Sequence, residues 1–170
     1  MNKQTEYDLI ITDAGLNLSS KGPFTIRRTY FPDGMLQMEA SYQEAKLHGR
    51  STFYAAEGQL LSESWFWKGK KVGRCLYFYS GGATYASLFY REGKKEGRQE
   101  YFYENGQLKT EEQWTTGKLH GSCCLYWPDG SLKRHTRFQE GLRHGMDRLF
   151  NEHGGLIDET QYVHGQCIDI

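Results

Sequence analysis

Apolar and polar residues alternate along most of this chain, and the alternation restarts at a fixed interval. Two, four, six and eight residues after Gly34 come Leu36, Met38, Ala40 and Tyr42. After Gly82 the same offsets hold Thr84, Ala86, Leu88 and Tyr90. The eighth position is aromatic in every copy: Tyr42, Phe66, Tyr90, Trp114, Phe138 and Tyr162. Period-two spacing predicts a strand with one buried face. A second strand follows in each copy, marked by adjacent apolar pairs such as Phe53-Tyr54, Tyr77-Phe78 and Tyr101-Phe102. Adjacent residues of a strand point to opposite sides, so both faces of these second strands carry apolar groups. Glycine or turn dipeptides interrupt every 8–12 residues, too often for helices of ordinary length.

The interruptions are periodic. Gly34, Gly58, Gly82, Gly106, Gly130 and Gly154 are spaced by 24 residues. A second series runs Gly69, Gly93, Gly117, Gly141 and Gly165, with Ala45 in its first slot, and a third runs Gly49, Gly73, Gly97, Gly121 and Gly145. Such a period marks a repeat architecture. Asn105-Gly106 and Asp129-Gly130 read as hairpin dipeptides needing positive φ, and Gly117 to Gly121 reads as a tight reversal framed by glycine at both ends. The expected fold is all-β: an elongated, twisted antiparallel meander of 24-residue β-hairpin repeats in a single domain. Residues 1–23 fit the repeat poorly, although Asp8 to Thr12 could form a short strand; they are expected to cap the first sheet edge, with a disordered tail as the alternative. Residues 24–170 form the array: a half repeat, five full units from Gly34, Gly58, Gly82, Gly106 and Gly130, and a partial sixth from Gly154.

The pattern YxxNGxLxxExxYxxGKxxG, seen best from Tyr103 through Gly121 and again at 79–97 and 127–145, resembles the variant MORN repeat. That form occurs in bacterial proteins labelled as YwqK-type antitoxins or immunity-like proteins, and the resemblance covers about residues 30–166. It implies a non-catalytic protein–protein interaction module that binds a toxic partner. Ala45, Ser80-Gly81 and Gln166-Cys167 depart from the pattern.

Composition narrows the functional classes. The 21 basic and 21 acidic side chains cancel, so no global field draws the chain to nucleic acid, and no nucleic-acid partner is expected. Neither a secretory signal nor an 18-residue apolar run is visible, which points to the cytoplasm. Cys75, Cys123, Cys124 and Cys167 read as free thiols, since slots two repeats apart lie too far for a disulfide. No zinc spacing, P-loop, Rossmann fingerprint or nucleophile elbow occurs, and no cofactor or metal is expected. His48, His120 and His144 share one slot and read as solvated turn histidines. Glu39, Glu63, Glu111 and Glu159 share a mid-strand slot with Ser87 and His135, read as a solvated face rather than a carboxylate pair. No catalytic set emerges, and the chain is not expected to be an enzyme.

Two surfaces remain. The turns after the first strands are basic: Lys46, Lys70, Lys71, Lys94, Lys95, Lys118 and Arg143, an edge suited to an anionic lipid or membrane surface as the alternative function. The opposite turns are mostly acidic. On the otherwise polar strand face, Trp65, Trp67, Tyr85 and Phe89 form an aromatic patch flanked by Arg91 and extended by Tyr79 and Tyr103. Exposed aromatic residues beside arginine mark partner sites. The competing reading is that the N-terminal segment or a fold-back covers them.

Overall fold

The computed structural model describes residues 24–168. The expectations for residues 1–23, including the cap, lie outside the described residues. Fifteen strands follow one another: β1 (Thr25–Tyr30), β2 (Leu36–Gln43), β3 (Lys46–Tyr54), β4 (Leu60–Trp67), β5 (Lys70–Lys71), β6 (Gly73–Phe78), β7 (Thr84–Arg91), β8 (Lys94–Lys95), β9 (Gly97–Phe102), β10 (Leu108–Thr115), β11 (Lys118–Tyr126), β12 (Leu132–Gln139), β13 (Leu142–Phe150), β14 (Leu156–Val163) and β15 (Gln166–Ile168). They pair in sequence order in one open antiparallel sheet, with β5 on β4 and β8 on β7. This is the meander that the repeat predicts. The strands divide between two compact units, residues to Gly82 with Phe89–Gly93, and Ala83–Leu88 with Lys94 onward.

Two kinds of turn alternate. The first holds three residues between a bonded pair such as Tyr103 and Gln107, and is closed by backbone bonds, Gly106 N–H to the Tyr103 carbonyl at 2.9 Å and Tyr103 N–H to the Gln107 carbonyl at 2.8 Å. Only its glycine has positive φ. Asn105 does not, contrary to the dipeptide reading: its side-chain oxygen accepts the Gln107 N–H at 3.0 Å instead. Asp33 and Asp129 hold Met35 and Ser131 in the same way. A side chain that holds the turn from its own second position removes the need for a left-handed residue there.

The second turn holds two residues, both at positive φ, such as Thr116 at 52° and Gly117 at 82°. This is the hairpin geometry that matches strand twist. At Gly117 the absence of Cβ has a further use, since the Lys94 stem from the preceding turn lies 3.3 Å from where a Cβ would stand. Successive turns are also tied by backbone: the N–H of Gly69 bonds to the Leu47 carbonyl, Gly93 to Lys71, Gly117 to Lys95, Gly141 to Leu119 and Gly165 to Arg143, all at 2.7–2.9 Å.

The third glycine series does not form turns. Glu112 pairs with Cys123 and Trp114 with Leu119, so three residues, His120 to Ser122, face the single residue Gln113. Gly121, at φ 107°, sits inside a bulge within β11. The reversal is complete at Thr116-Gly117, and the second glycine re-aims the strand rather than turning it.

The register sorts side chains onto two faces. Ala40 faces Ser51, which faces Ser64; farther along, Glu112, Cys123, Thr136, Asp147 and Thr160 face one another in turn. Ala40, Ser51, Ser64, Cys75, Leu88, Gln99, Thr136 and Asp147 along this file are buried. We call this side the core face. The other side, which carries the Glu39 slot, is the ladder face. The buried centre is thus made of small and polar groups, and the aromatic residues of the eighth position flank it half-buried.

Candidate functional site

On the ladder face the mid-strand carboxylates are not merely solvated. Each meets an arginine one strand away. Arg28 Nε lies 2.7 Å from Glu39 Oε2, and Arg50 Nε lies 2.7 Å from Glu63 Oε2. Arg98 bridges Glu111 at 3.1 Å and Glu100 at 2.8 Å, and Arg148 pairs with Glu159. A carboxylate already held by a guanidinium is poorly placed as a general acid or base, which agrees with reading this row as structural. His135 replaces the carboxylate in one unit; burial, with Arg137 and Arg148 nearby, lowers its pKa, and its Nε2 lies 3.2 Å from the Ser122 hydroxyl.

Trp65 and Trp67 stand beside this row on β4, in the slots that hold Ser41 and Gln43 on β2 and Gln113 and Thr115 on β10. Both are half-buried. Trp67 lies over His48, ring centroids 4.3 Å apart, and Lys68 Nζ sits 5.6 Å from its ring. His48 is the correction to the solvated-histidine reading. It is 1% exposed, with Phe24 edge-on at 5.5 Å. Burial lowers its pKa, Lys68 adds to that and Glu44 opposes it, and Nε2 has no hydrogen-bond partner among the described residues. The same slot elsewhere behaves as expected or nearly so: His120 is exposed beside Glu140 at 3.3 Å, while His144 is half-buried against His164. The Trp67 slot holds Gln139 opposite His120 and Val163 opposite His144, neither of which offers a ring to cover the histidine as Trp67 covers His48.

The remaining patch residues are placed as follows. Phe89 and Arg91 lie on β7, Phe89 half-buried and Arg91 exposed. Tyr79 is half-buried. In the second unit, Tyr85 is exposed, with its ring 6.2 Å from that of Tyr101. Tyr103 is committed to the fold: its hydroxyl donates to the Tyr126 carbonyl at 2.8 Å, and Lys109 Nζ covers its ring at 5.4 Å.

The basic edge is divided. Lys46, Lys70 and Lys94 are exposed at the turns. Lys118 is also exposed but reaches Glu140 at 3.1 Å. Lys71 and Lys95 point onto the core face, because neighbours in a strand face opposite ways. Lys71 Nζ donates to the Tyr77 hydroxyl at 2.6 Å and lies 5.3 Å from the rings of Tyr77 and Tyr90. Lys95 Nζ donates to Tyr101 at 2.7 Å, lies 4.5 Å from the Trp114 ring and sits 3.6 Å from Glu112. Arg143 turns the same way, 5.2 Å from the Tyr162 ring and 3.6 Å from Asp147.

Asp147 is the centre of a second core-face network, which sequence reasoning missed. Arg134 grips it with two bonds, at 2.8 and 2.6 Å, and the Thr136 hydroxyl donates to it at 2.7 Å. Burial pushes its pKa up, but the bonds from Arg134 and Thr136 outweigh burial and hold it below the usual carboxylate value. Arg134, Thr136 and Asp147 fall on one face by parity, so the triad was available from register alone.

All four cysteines are free. Burial pushes Cys123 up to about 11, with Glu112 adding to the effect, and it also raises Cys124. Thiols with raised pKa are poor nucleophiles. Among the described residues, no group of three His, Cys, Asp or Glu side chains could hold a metal. None has a helix long and apolar enough to cross a membrane.

Comparison with known proteins follows the repeat. Residues 26–44 and 95–115 match the family described as MORN repeat variant. Each matched stretch runs from a second strand through a three-residue turn into the next first strand. No curated protein matches the chain. Among solved structures the chain is similar to the "Glycosylation Associate Protein (Gap123) complex from Streptococcus agalactiae", with 17% identity and a TM-score of 0.35 over 71% of this chain. It spans 24% of the length of that chain.

Proposed function

We propose that this protein is a non-catalytic protein-interaction module, and that a partner docks on the ladder face of the first unit around Trp65, Trp67, Phe89 and Arg91. One observation carries the reading. A face otherwise lined with Arg–Glu pairs and short polar side chains becomes aromatic at Trp65 and Trp67, with exposed Arg91 on the same face. Tryptophan and arginine supply most of the binding energy in many interfaces. The resemblance to bacterial antitoxin-labelled repeats supports a finer form, in which the partner is a toxic protein that this chain masks.

Affinity capture from the source cells, with the bound protein identified by mass spectrometry, provides the test. Trp65→Ala and Arg91→Glu should each abolish capture of that protein while leaving the circular dichroism spectrum intact. Unchanged capture by both would place the docking site elsewhere. The finer form requires that the captured protein arrest growth when expressed alone and that this chain relieve the arrest. Anionic vesicles serve as the competing arm at low salt. Binding to them that disappears on reversing Lys46, Lys70 and Lys94 to glutamate would replace the protein-docking reading with a lipid-binding one.

A further inference from the structure

A titratable base lies directly beneath one of the aromatic residues of the docking face. His48 is in β3, and Gly49 pairs with Phe66, so His48 faces Trp67 one step farther along β4. The Trp67 ring stands 4.3 Å from the imidazole, tilted by 52°. Phe24, just before β1, meets the imidazole edge-on at 5.5 Å. His48 is 1% exposed. This arrangement is not a property of the repeat, since His120 and His144 occupy the same slot opposite Gln139 and Val163 and are exposed and half-buried.

Among the described residues, two charged groups act on the imidazole. Lys68, in the turn after β4, places Nζ 5.6 Å from the Trp67 ring and disfavours a second positive charge at His48. Glu44, in the turn after β2, favours one. Burial exceeds both and works against the charge. An imidazolium here would exchange water for two apolar rings and a neighbouring ammonium. The face of Trp67 attracts a cation, but Lys68 already lies beside that ring. Neutral imidazole packs there without these costs. The proton is therefore taken up most readily when water reaches the imidazole. Trp67 is the cover best placed to move, because it is the last residue of β4 and adjoins the two-residue turn Lys68-Gly69.

We propose that His48 is a proton-operated switch for the docking face: the neutral imidazole holds Trp67 in place, and the protonated one releases Trp67 and, with it, the partner. The proposal rests on the docking reading above, in which Trp67 is an anchor. An anchor that must be re-ordered on binding costs affinity. The sign follows from linkage. The closed arrangement binds the proton less readily than the open one, whose imidazole titrates near the ordinary value of 6.5. Closed Trp67 is thus favoured above 6.5 and loses ground as pH falls below it.

Proton NMR of the full-length protein without a partner tests the switch by itself. Nuclear Overhauser contacts between the His48 and Trp67 rings should be present at pH 7 and lost at pH 5. In His48→Phe, which keeps a ring but cannot titrate, ring contacts with Trp67 should be equal at both pH values. Lys68→Met, a change at an exposed turn, should retain more of the His48–Trp67 contact at pH 5 than the unmodified protein does. Contacts that persist at pH 5 in the unmodified protein overturn the proposal. Capture of the protein partner then tests the consequence. Affinity should fall from pH 7 to pH 5, by at most about tenfold per pH unit for one linked proton, and the fall should vanish in His48→Phe. Capture that depends on Trp65 and Arg91 but is equal at both pH values overturns the switch and leaves the docking reading standing. Capture that survives Trp65→Ala and Arg91→Glu removes the docking reading, and with it the release of a partner, whatever the ring contacts show.

Discussion

The first and second units place different chemistry in the same backbone slots. In the first, the buried file on the core face is Ala40, Ser51, Ser64 and Cys75, with no formal charge. In the second it includes Thr136 and Asp147, with half-buried Glu112 and Cys123 in the same file and Lys95, Arg134 and Arg143 reaching in. The histidine slot inverts the contrast: His48 is buried in the first unit and His120 is exposed in the second. A repeat therefore specifies where a side chain goes and not what it must be. The first unit keeps the buried part of its file neutral, with Arg27 and Lys71 held at its margin over tyrosine rings, and sequesters one titratable base beneath Trp67. The second tolerates ions there because each has a partner.

Breaking the Asp147 network should produce the largest difference. Asp147→Ala leaves the Arg134 guanidinium over an empty buried slot, and loss of one partner of a buried pair costs about 3–5 kcal/mol. Arg134 is about a third exposed, so water will recover part of that, and we expect a loss near the lower bound. Ser51→Ala in the equivalent slot should cost under about 1 kcal/mol. Urea unfolding midpoints of the two variants check this, and equal losses would erase the comparison.

Acid should test the histidines of the two units next. His48 has its folded pKa lowered, so the unfolded chain binds the extra proton first. Its contribution to stability is present above the ordinary value of 6.5 and is lost as pH falls below it. Asp147 is also depressed in the folded state, and its contribution is present above 3.8 and lost only as pH falls through its lower folded value. Hydrogen exchange followed by mass spectrometry at pH 7 and pH 5 should show β3 and β4 opening faster at pH 5, and β12 as well, because His135 on it also has its pKa lowered by burial; Asp147 adds nothing in that window. In His48→Phe the acid effect on β3 and β4 should vanish.

The inward lysines offer a smaller test. Lys71 and Lys95 occupy one slot and meet the same kind of tyrosine, but only Lys95 also neutralises a carboxylate, Glu112, which the Trp114 indole holds at 2.8 Å. Lys95→Met should lower stability by about 1 kcal/mol, and Lys71→Met by about half as much. Thermal unfolding of both variants, measured side by side, ranks them. The smallest expected effect is a gain. Ala45 holds φ 61° where the other turns carry glycine, and Ala45→Gly should stabilise the first unit by up to about 1 kcal/mol. A lower unfolding temperature for that variant would show that flexibility in the unfolded chain outweighs relief of the left-handed strain.

Much of this was legible in the chain. The spacing of Gly34 to Gly154 located the three-residue turns, and that of Gly69 to Gly165 located the two-residue turns. Parity placed Glu39 and Glu63 on one face and Leu36 and Tyr42 on the other. The role of Gly121 was not legible, because a glycine at positive φ serves a bulge as well as a turn, and only pairing shows which residues face Gln113. The neighbouring lysines Lys70-Lys71 and Lys94-Lys95 looked equivalent, but strand alternation sends Lys70 to solvent and Lys71 onto the core face.

The amino-acid sequence by itself determined the period, the order of strands and turns, and the face that each residue takes. These follow from local geometry: positive φ at the turns and a side-chain period of two between them. Tertiary structure alone decided which slots are dry and which charges meet. His48 lies beneath Trp67, and Asp147 between Arg134 and Arg143, because pairing brings residues 19, 13 and 4 positions apart into one neighbourhood. Burial and ionisation depend on all the neighbours together: His48 and Trp67 come from successive repeats, and Arg134, Arg143 and Asp147, though they share one repeat, meet only when its two strands pair.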